Sequence, residues 1–387
     1  MSGVLIHDGR RIGHRKWCVD AVSSGSADGV VLNPFATPRV AEPRHPSASE
    51  LAQAVRGARG EVIFDAMTHA LFLPGTNRLD FYDAWELWGP AGANLDGAAH
   101  QLAHVERVFN RQTQVGAPRL APTLQLQSPQ SSDAYLVRDL ARVARGLDSD
   151  CWQSLVGTRS FWSAGPHLDA YVGSLAALRA PVWMITVANE LVVDQVPDLM
   201  DTAAFAGFCR TVHSLSLRSR VIVAYGDFAG LPAVAAGADT VGSGWDRAQR
   251  TFDPLAFRAN SDPGIRIPAS YVTQGGLNSV LRRDTAEAIE RWDGARARAI
   301  RGGPMPPSDQ AQRMHHLLQL RSAVQQIIAA GSRQDRVNEL RNRYGAASSD
   351  YDTLIANLRP VVRESDKTSW VVNPSNALEA YARSEGF

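Results

Sequence analysis

The chain reads as an α/β protein: a (β/α)8 barrel of the TIM type followed by a helical C-terminal region. Two observations carry this. Short apolar or β-branched runs recur along the first two-thirds of the sequence, each ending in Gly, Pro, Asn, Asp or another polar residue and each followed by an amphipathic stretch. About eight such units over roughly 250 residues fit a closed barrel better than an open doubly wound sheet. No GxGxxG follows any of the runs, so a dinucleotide-binding sheet has no support.

The expected strands, in order, are 28–33 (DGVVLN), 61–65 (EVIFD), 122–127 (PTLQLQ), 151–157 (CWQSLVG), 182–188 (VWMITVA), 221–226 (VIVAYG), 239–242 (DTVG) and, more weakly, 269–273 (ASYVT). Their apolar character on both faces is that of parallel strands covered by helices. Between them, 47–58, 97–112, 132–147, 167–180, 201–217 and 231–238 have helical patterning. Ser47, Ser132 and Asp201 stand at helix starts, where a side-chain oxygen accepts from the free amides of the first turn. The connection 68–96 is long and rich in Trp, Tyr, Phe, Gly and Pro; it leaves the second expected strand and would overhang the barrel mouth as a lid or substrate wall, or plug it.

After Gly276 the pattern becomes helical, at 278–300, 311–330 and 333–343. Met314, Leu317, Leu318, Val324 and Ile328 form one apolar stripe. The expected division is therefore a barrel over 1–276, including the aromatic connection 68–96, and a helical region over 277–387 packed on it.

Composition bounds the function. In 387 residues, 44% are apolar and 20% charged, with 40 basic against 39 acidic side chains. That balance disfavours a surface that grips nucleic acid throughout, although a local arginine patch remains a route to nucleic acid or a nucleobase. Only Lys16 and Lys367 are lysines, so Schiff-base chemistry and phosphate-loop lysines have no candidates at strand ends. The arginine excess has two explanations, coding bias and bidentate anion recognition. Cys18, Cys151 and Cys209 are odd in number and widely spaced, which fits a reducing compartment and gives no zinc motif. No apolar run has the length of a signal peptide or membrane span, so the expectation is a cytoplasmic protein without a membrane partner. No cofactor or metal is implied, and the oligomeric state is left open.

Polar residues at the C-terminal ends of barrel strands are where this architecture places chemistry. The candidates for catalysis are Asp65, Asp246, Asp227 and Glu190, and those for substrate binding are Gln127, Asn189, His69 and Arg247. Asp65 directly ends an apolar run, where partial burial raises a carboxyl pKa and suits it to proton transfer. Asn189-Glu190, taken to close the fifth strand, resembles the acid/base Asn-Glu of barrel glycosidases, which would need a second carboxylate about 5 to 9 Å away. His100 and His104 share a helix face without an HExxH pattern, and the adjacent His315 and His316 should point to different faces, one packed and one solvated.

The segment 221–247, VIVAYGDFAGLPAVAAGADTVGSGWDR, resembles the late-strand region of tRNA-guanine transglycosylases. Gly226, the helix around 231–236 and Gly237-Ala238-Asp239 follow the family's order. EVIFD is similar to its strand ending in the Asp of an Asp-Ser-Gly-Gly-Phe motif, with Asp65 at the matching place. SLVGTR (154–159) matches its Gln-Gly turn weakly. The resemblance implies a (β/α)8 barrel that exchanges guanine in RNA or DNA for a deazaguanine. The chain departs from the pattern at several points. Ala66-Met67-Thr68-His69 replaces Ser-Gly-Gly-Phe, and Gly242 stands where the nucleophile belongs, with Asp246 the nearest carboxylate. Ala188-Asn189-Glu190 stands for the base-reading Gly-Gly loop, and no cysteine beyond Cys209 serves the zinc cluster. Three functions follow as expectations: nucleobase or nucleoside modification through carboxylates at the barrel mouth, with Arg282, Arg283, Arg296, Arg298 and Arg301 positioning phosphates; a carbohydrate-active or other small-molecule barrel enzyme; and a non-catalytic binding or assembly component.

Overall fold

The computed structural model describes residues 3–9, 13–71, 81–89, 92–189, 192–193, 196–197, 201–257 and 270–387. Eight parallel strands form one curled sheet: β1 (Gly3–His7), β2 (Gly29–Leu32), β3 (Glu61–Phe64), β4 (Gln125–Leu126), β5 (Gln153–Thr158), β6 (Val182–Ala188), β7 (Arg220–Ala224) and β8 (Thr240–Gly244). Their spatial order is β3-β2-β1-β8-β7-β6-β5-β4. This is a TIM-like barrel with helices outside it.

Two corrections to the sequence reading concern which runs are strands. The N-terminal run GVLIH, too short for a signal peptide and absent from the expected strands, is β1, buried throughout and paired on both sides, with β2 and β8. The run at 269–273 contributes instead to an antiparallel hairpin outside the barrel, β9 (Tyr271–Gln274) with β10 (Ser279–Arg282). The two errors cancel in the count, but they shift the numbering, so Asn189 follows the sixth barrel strand and not the fifth.

The barrel does not close by a backbone ladder between β3 and β4; side chains close it. The Gln112 amide donates from Nε2 to the carbonyls of Phe64 (3.1 Å) and Leu120 (2.9 Å), and its Oε1 accepts from the Leu120 amide at 3.0 Å. Nearby, Thr68 Oγ1 donates to the Thr123 carbonyl at 2.8 Å and accepts from its amide at 3.1 Å. At the opposite end, Arg220 of β7 reaches Glu61 of β3 through both guanidinium ends, at 2.5 and 2.8 Å, and also bonds Asp239.

Inside the barrel, Leu5, Val31, Ile63, Leu120, Val182, Met184, Ile222 and Ala224 form an apolar cluster of their own. The outer faces of the strands join the main core beneath α1 (His14–Ser23), α2 (Ala48–Gly57), α3 (Ala98–Val115), α4 (Ser132–Leu147), α5 (Pro166–Ala176), α6 (Thr202–Ser216) and α7 (Leu231–Ala236). Ser47 makes a capping box with Glu50, and Asp201 caps α6 through Ala204. The cap of α4 falls on Ser131, one residue before Ser132.

In the aromatic connection, the described portion packs as core. Trp85 donates its indole N–H to the Thr37 carbonyl and packs on Phe64, Tyr82 packs on Phe35, and Trp88 stacks on His104.

The longer helices of the C-terminal region are α8 (Arg283–Trp292), α9 (Gly294–Arg301), α10 (Asp309–Ala329), α11 (Arg333–Leu358) and α12 (Asn373–Glu385), the last preceded by short helical turns over Glu364–Lys367 and Thr368–Val372. The expected helix 278–300 begins later, because 279–282 is strand β10, and it breaks where Asp293 caps α9. The expected helix 333–343 runs on to Leu358. In α10 the buried face is Leu317, Leu320, Ala323, Val324 and Ile327, whereas Leu318 is exposed.

Candidate active site

All eight strands point the same way, so one end of the barrel collects their C-terminal residues. Pleating decides which of these face the axis. On β1, Leu5 belongs to the inner apolar cluster, so His7 faces inward above it; on β3, Ile63 does the same for Asp65. On β6, Met184 places Thr186 inward. Ser154 pairs with Met184, and Gln125 pairs with Val156, which in turn pairs with Thr186; both therefore share the inner face. The barrel is apolar at the bottom and polar at the mouth.

His7 is the centre of this polar layer. Its Nε2 accepts the Tyr225 amide N–H at 2.9 Å, and its ring stacks on the Tyr225 ring at 3.7 Å with 13° between planes. Because Nε2 accepts, the ring proton sits on Nδ1. Burial pushes the His7 pKa down to about 3, so the ring is neutral. Gly242 makes the space: a Cβ there would lie 2.2 Å from His7 Nε2. The place that the family resemblance gives to a nucleophile is therefore filled by a histidine ring from β1.

Asp65 is buried, and burial raises its pKa against the opposing pull of His69 and of the Met67 amide, which donates to Oδ1 at 2.8 Å. Burial also keeps His69 neutral, with Asp65 pulling the other way. Across the mouth, Phe252 lies against both His69 (5.0 Å) and Tyr225 (5.7 Å). Asp65 therefore sits among flat ring surfaces. Met67 and Tyr225, which flank this region, hold left-handed φ values of 46° and 53°, a conformation that costs a non-glycine residue about 1 to 3 kcal/mol and clusters at functional sites.

Several buried polar atoms of this layer have no hydrogen-bond partner: His7 Nδ1, both ring nitrogens of His69, Gln125 Oε1, Ser154 Oγ and Thr186 Oγ1. Buried polar groups are almost always paired, so such a concentration calls for a bonding partner in use.

The other sequence candidates fall elsewhere. Asp227 lies in a second buried cluster, behind β8. Its carboxylate is 3.3 Å from His316 Nε2 and 3.7 Å from Arg250 Nε. His316 also contacts Ser243 Oγ (3.1 Å) through Nε2 and Thr273 Oγ1 (2.9 Å) through Nδ1. Although burial opposes it, His316 and Arg250 hold the Asp227 carboxyl below the usual range. Ser243 and Asp227 meet the same nitrogen of His316, so the three are not a serine-protease-type relay, in which opposite nitrogens are used. This cluster ties barrel, hairpin and α10 together. His315 is half-buried, with Nε2 3.3 Å from the Thr273 carbonyl, whereas His316 is the fully packed one of the pair.

Asp246 caps a short helical turn and pairs with Arg313 at 2.8 Å. Arg247 stacks over Tyr271 at 3.9 Å. Asn189 is buried and tied to backbone: its amide donates to the Phe252 carbonyl, and Nδ2 donates to that of Val187. Gln127 is exposed and accepts from Thr158 at 2.9 Å. Glu190 lies outside the described residues. The structure thus brings Asp65 and His69 together, and it supplies His7, Tyr225 and Phe252, which the sequence reading did not select. His7 had a signal, since it ends an apolar run; Phe252 had none.

Among the described residues no group of three or more His, Cys, Asp or Glu side chains is placed to hold a metal. His104 is stacked on Trp88, and His100 is exposed. The three cysteines are buried free thiols whose pKa values burial raises, to about 11 for Cys151 and about 12 for Cys209. Of the proposed phosphate-positioning arginines, Arg283, Arg296 and Arg301 pair with Glu287, Asp350 and Glu290, and Arg301 is fully buried. No described helix is long and apolar enough to cross a membrane.

No family model matches the chain, and no curated protein matches it. Among solved structures it is similar to the crystal structure of a probable tagatose 6 phosphate kinase from Sinorhizobium meliloti 1021, at 12% identity and a TM-score of 0.32, over 99% of this chain and 98% of that one. A likeness at that level carries no functional argument, and the barrel rests on the strand topology itself.

Proposed function

We propose that the mouth of the barrel binds the base of a nucleobase or nucleoside and that Asp65 exchanges a proton with it. The ring of unpartnered polar atoms around a buried carboxyl, walled by Tyr225, His69 and Phe252, supports this reading. A purine or pyrimidine offers what that ring needs: an edge carrying donors and acceptors, and two flat faces for aromatic contact. Neutral His7 donates from Nδ1. His69, Gln125, Ser154 and Thr186 offer both donors and acceptors to the edge. Burial favours the protonated carboxyl of Asp65, which can give its proton to a ring nitrogen; the N-glycosidic bond then breaks with its electron pair leaving on the base, and water or an incoming base forms the new bond at the anomeric carbon and returns a proton to Asp65.

Hydrolysis of a sugar-sugar bond by the paired-carboxylate route needs a second carboxylate beside the acid, whereas a protonated base leaves without one. Asp227 and Asp246 are committed to Arg250, His316 and Arg313, and neither faces the chamber with Asp65.

The test is incubation of RNA or DNA, and of free nucleosides, with isotope-labelled guanine. Base exchange or release that Asp65→Asn abolishes and Asp246→Asn preserves is the expected result. The rate should fall as pH rises through the raised pKa of Asp65, because the acid form does the work. Turnover that survives Asp65→Asn would remove Asp65 from the chemistry.

A further inference from the structure

Beside the chamber, the exits of β1 and β2 enclose a pocket of about 520 Å³ whose polar lining includes Asp8, His14, Arg15, Lys16, Arg44 and His45. We propose that it is a second ligand site, which takes a phosphate monoester carrying a hydroxyl group. Pleating links the two sites through adjacent residues: His7 faces the barrel axis, and Asp8 faces out into this pocket.

Three features of the pocket point to that ligand. First, α1 begins here, at Gly13, with no side-chain cap and no acidic residue in its first turn. Its leading amides and the positive end of its dipole are thus offered to an anion. Second, His14 is only 4% exposed, and neither of its ring nitrogens has a hydrogen-bond partner. Its Nδ1 stands 3.4 Å from Asp8 Oδ1 without making a hydrogen bond, and that oxygen is itself unpartnered. Third, the lining carries three cationic side chains, Arg15, Lys16 and Arg44, and one carboxylate, Asp8; outside the lining, Lys16 pairs with Asp20 at 2.6 Å and Arg15 lies near Glu50.

Asp8 decides the class of ligand. A bare anion meets repulsion from this carboxylate, which already accepts the Thr37 hydroxyl at 2.5 Å through Oδ2. A monoester whose organic part bears a hydroxyl gives Oδ1 a donor while its phosphate takes the helix amides, His14 and the arginines. The source is either a free mononucleotide or sugar phosphate, or the 5′-phosphate end of a nucleic acid. The pocket shares no residue with the chamber around Asp65, so it stands whether or not that chamber holds a base.

The experiment titrates the full chain with inorganic phosphate, a nucleoside 5′-monophosphate, and a 5′-phosphorylated oligonucleotide beside its unphosphorylated twin, followed by calorimetry. Trp17 and Trp245 lie 6.0 and 6.2 Å from the His14 ring, so their emission gives a second readout for phosphate. Saturable binding is expected, weaker by about tenfold or more in an Arg15→Ala/Arg44→Ala variant. Those side chains are exposed, so that variant should keep the wild-type thermal transition. The monoester should bind more tightly than inorganic phosphate, and Asp8→Ala should erase that preference. A requirement for the 5′-phosphate in the oligonucleotide assigns a nucleic-acid end; a response confined to the mononucleotide assigns a free metabolite. No saturable response to any of the three phosphates, or an unchanged response in the arginine variant, overturns the proposal.

Discussion

Asp65 is a carboxyl placed where ionisation is costly. Its raised pKa means that the folded state disfavours the anion, so stability is lost as pH rises through the folded value. Asp65→Asn keeps an oxygen for the Met67 amide and removes that cost. The variant should therefore be more stable than wild type by about 1 kcal/mol near pH 8, with the difference shrinking as pH falls and the wild-type carboxyl takes up its proton. Thermal unfolding across that range checks it, and an advantage that grows toward acid would contradict it. At this scale the sequence was informative about Asp65, because a carboxyl ending an apolar run faces into a barrel mouth. It was silent about Asp246: four residues past the nucleophile position of the resemblance, nothing local announces that Arg313, 67 positions away, will hold it. Asp227 was hidden by the same kind of distant partner, His316.

The elements show which periodicities can be read from a sequence and which cannot. Buried parallel strands such as β6, with its VWMITVA run, are conspicuous because both faces are apolar. β4 has only two ladder residues within its PTLQLQ run, while β1 is a short apolar run, GVLIH, whose partners β2 and β8 lie far along the sequence. The closure between β3 and β4 is not legible, since it rests on side chains brought in from elsewhere, the buried Gln112 amide of α3 among them. Gln112→Leu leaves the Phe64 carbonyl and both backbone groups of Leu120 without that partner. Unpaired buried groups cost about 1 to 3 kcal/mol each, so a loss of about 3 kcal/mol is expected in chemical denaturation. A loss under about 0.5 kcal/mol would mean that the Thr68–Thr123 contacts hold the seam without it.

For the whole molecule, arginine proves to be the tie between barrel and C-terminal helices. Arg321 grips Asp28 in bidentate fashion at 2.9 and 3.0 Å, Arg313 bonds Asp246 and the Trp245 carbonyl, and Arg333 bonds Ser216 and the Ala236 carbonyl. The planar guanidinium serves such two-point contacts better than lysine does, which gives the composition a structural use beyond coding bias. Buried neutral histidines set the acid limit of this assembly. His7 and His104 are held down to about 3 and about 4, and burial lowers His69 and His316 as well. The unfolded chain takes up protons below about pH 6.5 while these sites do not, so stability should fall steadily from there toward pH 4, with His7 alone costing about 2 kcal/mol at pH 5. The depressed Asp227 adds to the loss at lower pH, and Asp65 opposes it only weakly as one group among several. A melting temperature that stays flat between pH 7 and pH 5 would show that these histidines are reached by water.

The most direct measurement is a saturation-transfer NMR titration of the free nucleobases and their nucleosides against wild type, Asp65→Asn and Asp246→Asn. At least one base should bind saturably to wild type and to Asp246→Asn and lose most of its affinity for Asp65→Asn, with the ring protons receiving the strongest transfer because Tyr225 and Phe252 face them. Binding by none of the bases, or equal binding by all three proteins, would contradict a base-binding chamber around Asp65.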